Sequence, residues 1–228
     1  MEEKAKLDRQ SMALRVAKEF QDGDVVNLGY GLPVLAANFI PEGREIMFHT
    51  ENGALGFGAR MAPGEGSHDL INAQGQAVTP QPGMSFFAHD ESFVMIRGGH
   101  VDISVLGGFQ VSVRGDLANW TVPERVIAGR TIGTIGGGMD LAAGAKKVIV
   151  AMNHVTKNGG FKIVNECNYP LTALRSVKLI ITDIAVIEVT GSALVLKEVA
   201  PGWTPEEVQS LTEPTLTIDP GCREIELM

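Results

Sequence analysis

At 228 residues, with a formal net charge of −8 and a pI near 5.1, the chain is long enough for one sizeable core. Its basic residues are scattered, which argues against nucleic acid as a main partner, and no apolar run reaches the length of a membrane span. Only two cysteines occur, Cys167 and Cys222, in no disulfide or metal-ligand spacing, as suits a reducing compartment.

The N-terminal stretch Met1-Glu2-Glu3-Lys4-Ala5-Lys6 is charged and lacks the apolar centre of a signal peptide, so a cytoplasmic protein is expected. Between Asp8 and Phe20, Met12, Val16 and Phe20 recur at helical spacing, and Asp22-Gly23-Asp24 ends that helix. Val25–Leu28 reads as a strand, and Gly29-Tyr30-Gly31-Leu32-Pro33 as a glycine turn into a helix running to about Ile40. Ile46-Met47-Phe48 is the next strand, and it runs into His49-Thr50-Glu51-Asn52-Gly53. In an open α/β sheet, ligands collect outside the carboxyl ends of the strands, so Glu51 is placed to face a substrate. Read alone, the same pattern fits a surface glutamate in a tight turn.

Further on, residues 62–67 form an aperiodic loop, and Ser85 to Arg97 carries Phe93 and Ile96 at helical spacing before Gly98-Gly99. Val101–Leu106 is a strand, and Gly115 to Arg130 reads as irregular. Gly136-Gly137-Gly138 precedes an alanine-rich helix to Lys147 and the strand Val148–Val150. Strands follow at Leu179–Thr182, Ala185–Val189 and Leu194–Leu196, and Thr204-Pro205-Glu206-Glu207 has the form of a capping box. Strands alternating with helices predict an α/β fold: an open, mainly parallel sheet with helices on both faces. No linker composition interrupts the chain, so a single domain over 1–228 is expected.

Two glycine clusters offer backbone donors. Gly29-x-Gly31 could bring N–H groups to an anion, but Val34 stands where a dinucleotide fingerprint needs its third glycine. Glu51, 20 residues after Gly31, sits near the place of that motif's ribose-binding acid, which gives the nucleotide reading some surface appeal. The run Gly136-Gly137-Gly138 could point amides into a cavity to hold an oxyanion, a plain flexible turn being the alternative. His49-x-Glu51 imitates half of the zinc deaminase signature, but the isolated cysteines supply no second half. His68, His89, His100 and His154 show no ligand spacing, so no metal site is expected.

Six blocks stand in a recognisable order: Asn27-Leu28-Gly29-x-Gly31-x-Pro33, Phe48-His49-Thr50-Glu51-Asn52-Gly53, Asp69-Leu70-Ile71-Asn72-Ala73, Ser92-Phe93-x-Met95-Ile96-Arg97-Gly98-Gly99-His100, Gly115-Asp116-Leu117-Ala118-Asn119-Trp120 and Gly136-Gly137-x-Met139-Asp140-Leu141. With them the chain resembles the B (beta) subunit of the family I 3-oxoacid coenzyme A transferases along nearly its whole length. The resemblance implies a CoA-transferase fold, Glu51 as nucleophile, and ping-pong transfer of CoA through a glutamyl-CoA thioester. It implies Gly137 as an oxyanion donor with room made by Gly136 and Gly138, and Gly29 and Gly31 on the CoA-binding side. No metal or permanently bound cofactor is implied; coenzyme A is a substrate, beside acyl-CoA and carboxylic acids. The implied partner is a separate A (alpha) subunit in a heterotetramer of two alpha and two beta chains.

Thr50 and Ala54 depart mildly from the family pattern, and the longer segment from Val122 to Ile135 leans toward the 3-oxoadipate branch rather than the acetoacetate enzymes. Arg60, Arg97, Arg114 and Arg130 are candidates for pairing a second substrate carboxylate. An acyl-CoA hydrolase on the same scaffold, an acetate or butyrate CoA-transferase, and a non-catalytic sugar- or nucleotide-binding module are the competing readings.

Overall fold

Asp8 starts the first helix, its side chain accepting the Ser11 N–H at 2.7 Å, and α1 runs Arg9–Ala17 with Met12, Ala13, Val16 and Ala17 turned inward. The computed structural model describes residues 4–62, 64–123 and 133–227, together with the backbone of 126–127 and 130–131. The strands of the first half are β1 (Val25–Leu28), β2 (Met47–Thr50), β3 (Ala54–Phe57), β4 (Ser85–Phe86), β5 (Ile103–Leu106), β6 (Gln110–Ser112), β7 (Leu117–Ala118), β8 (Val126–Ile127) and β9 (Arg130–Thr131). Those of the second half are β10 (Lys147–Ala151), β11 (Ile163–Val164), β12 (Val177–Ile181), β13 (Ala185–Val189), β14 (Leu194–Val199) and β15 (Leu216–Glu224). The helices α2 (His89–Arg97), α3 (Gly138–Gly144) and α4 (Pro205–Ser210) complete the set.

Ten strands form one sheet in the order β15-β14-β13-β12-β10-β5-β1-β2-β3-β4. The five central strands, β12-β10-β5-β1-β2, are mutually parallel, and antiparallel hairpins extend both edges. Alternating side chains serve the two faces. Val26, Val105, Ile149 and Ile181 meet α1 and the turn of 3-10 helix at Pro33–Phe39, while Leu106, Val148, Val150 and Ile180 meet α2, α3 and α4. The expected open α/β sheet with helices on both faces is therefore what forms.

Three differences from the expected elements have local causes. The helix entered through Pro33 is a 3-10 helix rather than an α-helix. Ser85–Phe86 is an edge strand, because the Ala88 N–H donates to the Glu91 carboxylate at 2.9 Å and so starts α2 only at His89. Within the stretch expected to be irregular, Leu117–Ala118 pairs with β6, held by Asp116, whose buried carboxylate accepts from the Ser112 hydroxyl at 2.7 Å and the Arg175 N–H at 3.0 Å. The parallel centre matters most for function. It brings the carboxyl ends of β2, β1, β5 and β10 to one edge.

Candidate active site

Glu51 follows the last residue of β2. Its turn closes when the Gly53 N–H donates to the Thr50 carbonyl at 3.0 Å, and Gly53 adopts φ +107° with the Phe87 carbonyl packed where a Cβ would stand. Thr50 and Asn52 then clasp the neighbouring loop: the Ala73 N–H donates to Thr50 Oγ1 and Asn52 Nδ2 donates to the Ile71 carbonyl, each at 2.8 Å. From the other side His89 Nδ1 donates to the Glu51 main-chain carbonyl at 2.9 Å. The backbone on both sides of Glu51 is thus committed, and its half-buried side chain is left to the cleft.

Behind the turn lies a buried relay. Asn27 and His49 face each other in register across β1 and β2, and Asn27 Nδ2 donates to His49 Nδ1 at 3.0 Å. That leaves the proton on Nε2, which donates to the Ser92 hydroxyl at 3.0 Å, and Ser92 Oγ lies 3.4 Å from the Thr50 carbonyl. Burial pushes the His49 pKa from 6.5 down to about 4, so the imidazole is neutral. The unfolded chain takes up a proton between those two values that the folded chain refuses. Stability carried by neutral His49, roughly 3 kcal/mol, is therefore complete above pH 6.5 and is lost as the pH falls toward 4. We expect Tm to fall between pH 6.5 and 5 and the fall to be shallower in His49→Gln; matching profiles in a thermal titration would contradict the assignment.

Opposite Glu51 stands the glycine run. Gly137 is buried against the Glu51 carboxylate, and its N–H favours the ionised form. A methyl group on Gly137 would overlap Glu51 Oε2 and come within 3.1 Å of the Phe93 ring. Only an amide with no side chain fits so close to the carboxylate. Burial raises the Glu51 pKa above 4.5, with Asp140 adding to the rise while His89 and the Gly137 N–H oppose it. A carboxylate made more basic by burial and facing a fixed donor is equipped for nucleophilic attack with oxyanion support.

Glu51, Gly29, Gly136, Gly137 and Gly138 all line one cleft of about 620 Å³ along the carboxyl edge of the sheet. Gly31, at φ +91°, shapes the turn beside it but is not among the described lining residues. Of the arginines expected to meet a carboxylate, Arg97 is paired with Asp140 at 2.7 Å, Arg114 lies 3.6 Å from Asp116, and Arg60 lines a separate small cavity behind the turn. The side chain of Arg130 lies outside the described residues. Among the described residues, the cations lining the cleft are instead Arg9 and Lys162, which no motif marked. Among the described residues no cluster of three or more His, Cys, Asp or Glu could hold a metal, and no helix is long and apolar enough to cross a membrane.

Comparison with known proteins gives this edge a family. The sequence profile described as Coenzyme A transferase matches residues 9–211. The chain is 51% identical over 207 residues to the B subunit of 3-oxoadipate CoA-transferase from Pseudomonas putida, covering 91% of this chain and 95% of that protein. It is 47% identical over 205 residues to the B subunit of succinyl-CoA:3-ketoacid coenzyme A transferase from Helicobacter pylori, covering 90% and 96%. The crystal structure of the acyl-CoA transferase YdiF of Escherichia coli O157:H7 superposes with a TM-score of 0.72 at 20% identity. This chain is covered over 97% of its length there, yet spans only 45% of the YdiF chain, and at that identity the likeness speaks for the fold. With the profile matched over most of its length and relatives at about half identity, the chain belongs to the coenzyme A transferase family.

Proposed function

We propose that this chain is the B subunit of a transferase that moves CoA from a dicarboxylic acyl-CoA such as succinyl-CoA to a 3-oxoacid, with Glu51 as the nucleophile. The observation that carries the reading is the Glu51 carboxylate set against the Gly137 N–H in a cleft at the carboxyl edge of parallel strands. The names of the relatives support the substrate class.

In the first step a Glu51 oxygen attacks the thioester carbonyl, the C–S bond breaks, and an acyl-glutamyl anhydride and CoA thiolate result. The thiolate then attacks the Glu51 carbonyl carbon. The bond from that carbon to the bridging oxygen breaks, which releases the carboxylate and leaves glutamyl-CoA. An incoming 3-oxoacid carboxylate reverses both steps and departs as the new acyl-CoA. Because the Gly137 amide stands beside Glu51's own carboxylate, it is placed to serve the steps in which the Glu51 carbonyl is attacked and its oxygen becomes an oxyanion.

The partner in this reading is an A subunit supplied as a separate chain, in a tetramer of two copies of each. Exposed apolar side chains at Tyr30 on the cleft and at Met139, Leu171 and Leu174 suit its docking. The test is mass spectrometry of the co-purified complex after incubation with succinyl-CoA in the absence of acceptor. A CoA adduct is expected on the peptide containing Glu51 and should vanish on adding a 3-oxoacid. An adduct elsewhere would sink the mechanism, and thioester loss without acid-dependent exchange would point to a hydrolase.

A further inference from the structure

The cleft has a second end. It follows the carboxyl edges of β2, β1, β5 and β10, so the residues after β10, Met152 and Asn153, lie three strand spacings from Glu51, roughly 14 Å. Lys162, just before β11, lines the cleft as well, and its main-chain carbonyl is fixed by the Val111 N–H at 2.9 Å. Its partly buried ammonium makes no hydrogen bond and no ion pair with any described residue.

The acid that acts on it is already engaged. Asp183 Oδ1 accepts the His154 N–H at 2.6 Å, and Oδ2 accepts from Asn153 Nδ2 at 3.3 Å. Burial draws the Lys162 pKa down from 10.5 to about 8, with Asp183 opposing. A shielded cation without a partner is costly unless a ligand completes it. The other cation of the cleft, Arg9, is exposed, so its field is screened by solvent. Along the cleft after β5, Gly107 has open space where a side chain would stand in the way of an extended ligand.

An anionic oxygen is therefore the chemistry Lys162 would meet, and two parts of an acyl-CoA could bring one. The distal carboxylate of a four- to six-carbon acid lies no more than about two residues' worth of extended chain, ~7 Å, from the thioester carbonyl. The diphosphate lies at the end of the pantetheine arm, about four residues' worth of chain or ~15 Å from the sulfur. The second length matches the span from Glu51 to the end of β10, where Lys162 stands within electrostatic reach of His154 and Asp183. We propose that Lys162 anchors a diphosphate oxygen of the acyl-CoA while the thioester reacts at Glu51. This placement rests on the transferase reading above. Holding the remote end of CoA lets its binding energy act at the reacting carbonyl.

The test uses the complex of this chain with its A subunit and compares succinyl-CoA with succinyl-pantetheine, which lacks the diphosphate. Lys162→Met should lower kcat/KM for succinyl-CoA by about 10- to 100-fold, the range for losing a charged hydrogen bond. It should leave succinyl-pantetheine within about twofold of wild type and should not lower Tm, since the removed cation makes no hydrogen bond or ion pair with a described residue. Lys162→Arg should recover most of the loss. Equal losses on the two donors would overturn the proposal. So would a loss that tracks succinyl against butyryl donors on either carrier, which would assign Lys162 to the distal carboxylate. Calorimetric binding of free CoA needs no turnover and should weaken by a similar factor in Lys162→Met; unchanged binding also overturns the proposal. Lysine-dependent CoA binding in a complex that transfers nothing would instead fault the Glu51 reading alone.

Discussion

Glu51→Gln is expected to abolish CoA exchange, lowering kcat by at least roughly a thousandfold, because the amide has the shape of the carboxylate but cannot attack a thioester. Little else should change. The amide oxygen can face the Gly137 N–H as the carboxylate does, and the clasp of Thr50 and Asn52 on the loop at Ile71–Ala73 involves no Glu51 side-chain atom. The stability effect has a definite sign. The folded-state pKa of Glu51 is raised by burial, so its ionised form is disfavoured in the folded chain at neutral pH, and a neutral amide relieves that cost. Tm at pH 7 should equal or exceed that of the wild type. Exchange kinetics and a thermal scan on the same complex decide the matter: retained exchange would remove Glu51 from the mechanism, and a large drop in Tm would make it a structural residue.

Much of this arrangement was legible in sequence because it is local. The strand at Val25–Leu28, the turn after β2 and the capping box at Thr204, where the Thr204 side chain accepts the Glu207 N–H, each follow from neighbouring residues. The place of Glu51 at the carboxyl edge followed too, since a residue just after a parallel strand needs only the sheet to reach that edge, although the local pattern alone fitted a surface turn equally. What escaped was assembled from distant parts of the chain. Asn27, His49 and Ser92 form one relay across β1, β2 and α2, and no spacing rule joins them. His89 holds the Glu51 carbonyl across 38 positions. Lys162 carries no motif at all. Its significance lies in making no hydrogen bond or ion pair with any described residue, and that is a property of packing rather than of pattern. The arginines considered for substrate carboxylates went the other way. Arg97 is drawn to Asp140, an acid 43 positions away that lies near it only after folding, and Arg114 to its sequence neighbour Asp116.

The glycine run separates function from stability more sharply than any other stretch. Gly137 sits at φ −80°, a backbone conformation open to any residue, so alanine there brings no left-handed strain. Its methyl group would instead overlap Glu51 Oε2 and stand 2.8 Å from Cδ, both at the movable end of a side chain. The carboxylate would swing away and lose its amide donor. Removal of one such donor costs about 10²- to 10³-fold in kcat, and Gly137→Ala should show a loss of that size with a Tm change worth less than about 1 kcal/mol. Gly136 is the built-in contrast. It adopts φ +50° with open space where a Cβ would stand, so Gly136→Ala meets backbone strain of about 1 kcal/mol without touching Glu51. The pair should give opposite signatures in one set of measurements, activity falling in the first variant and Tm in the second. If Gly137→Ala lost stability and activity in step, the run would be a folding turn and the oxyanion role would have to be reassigned.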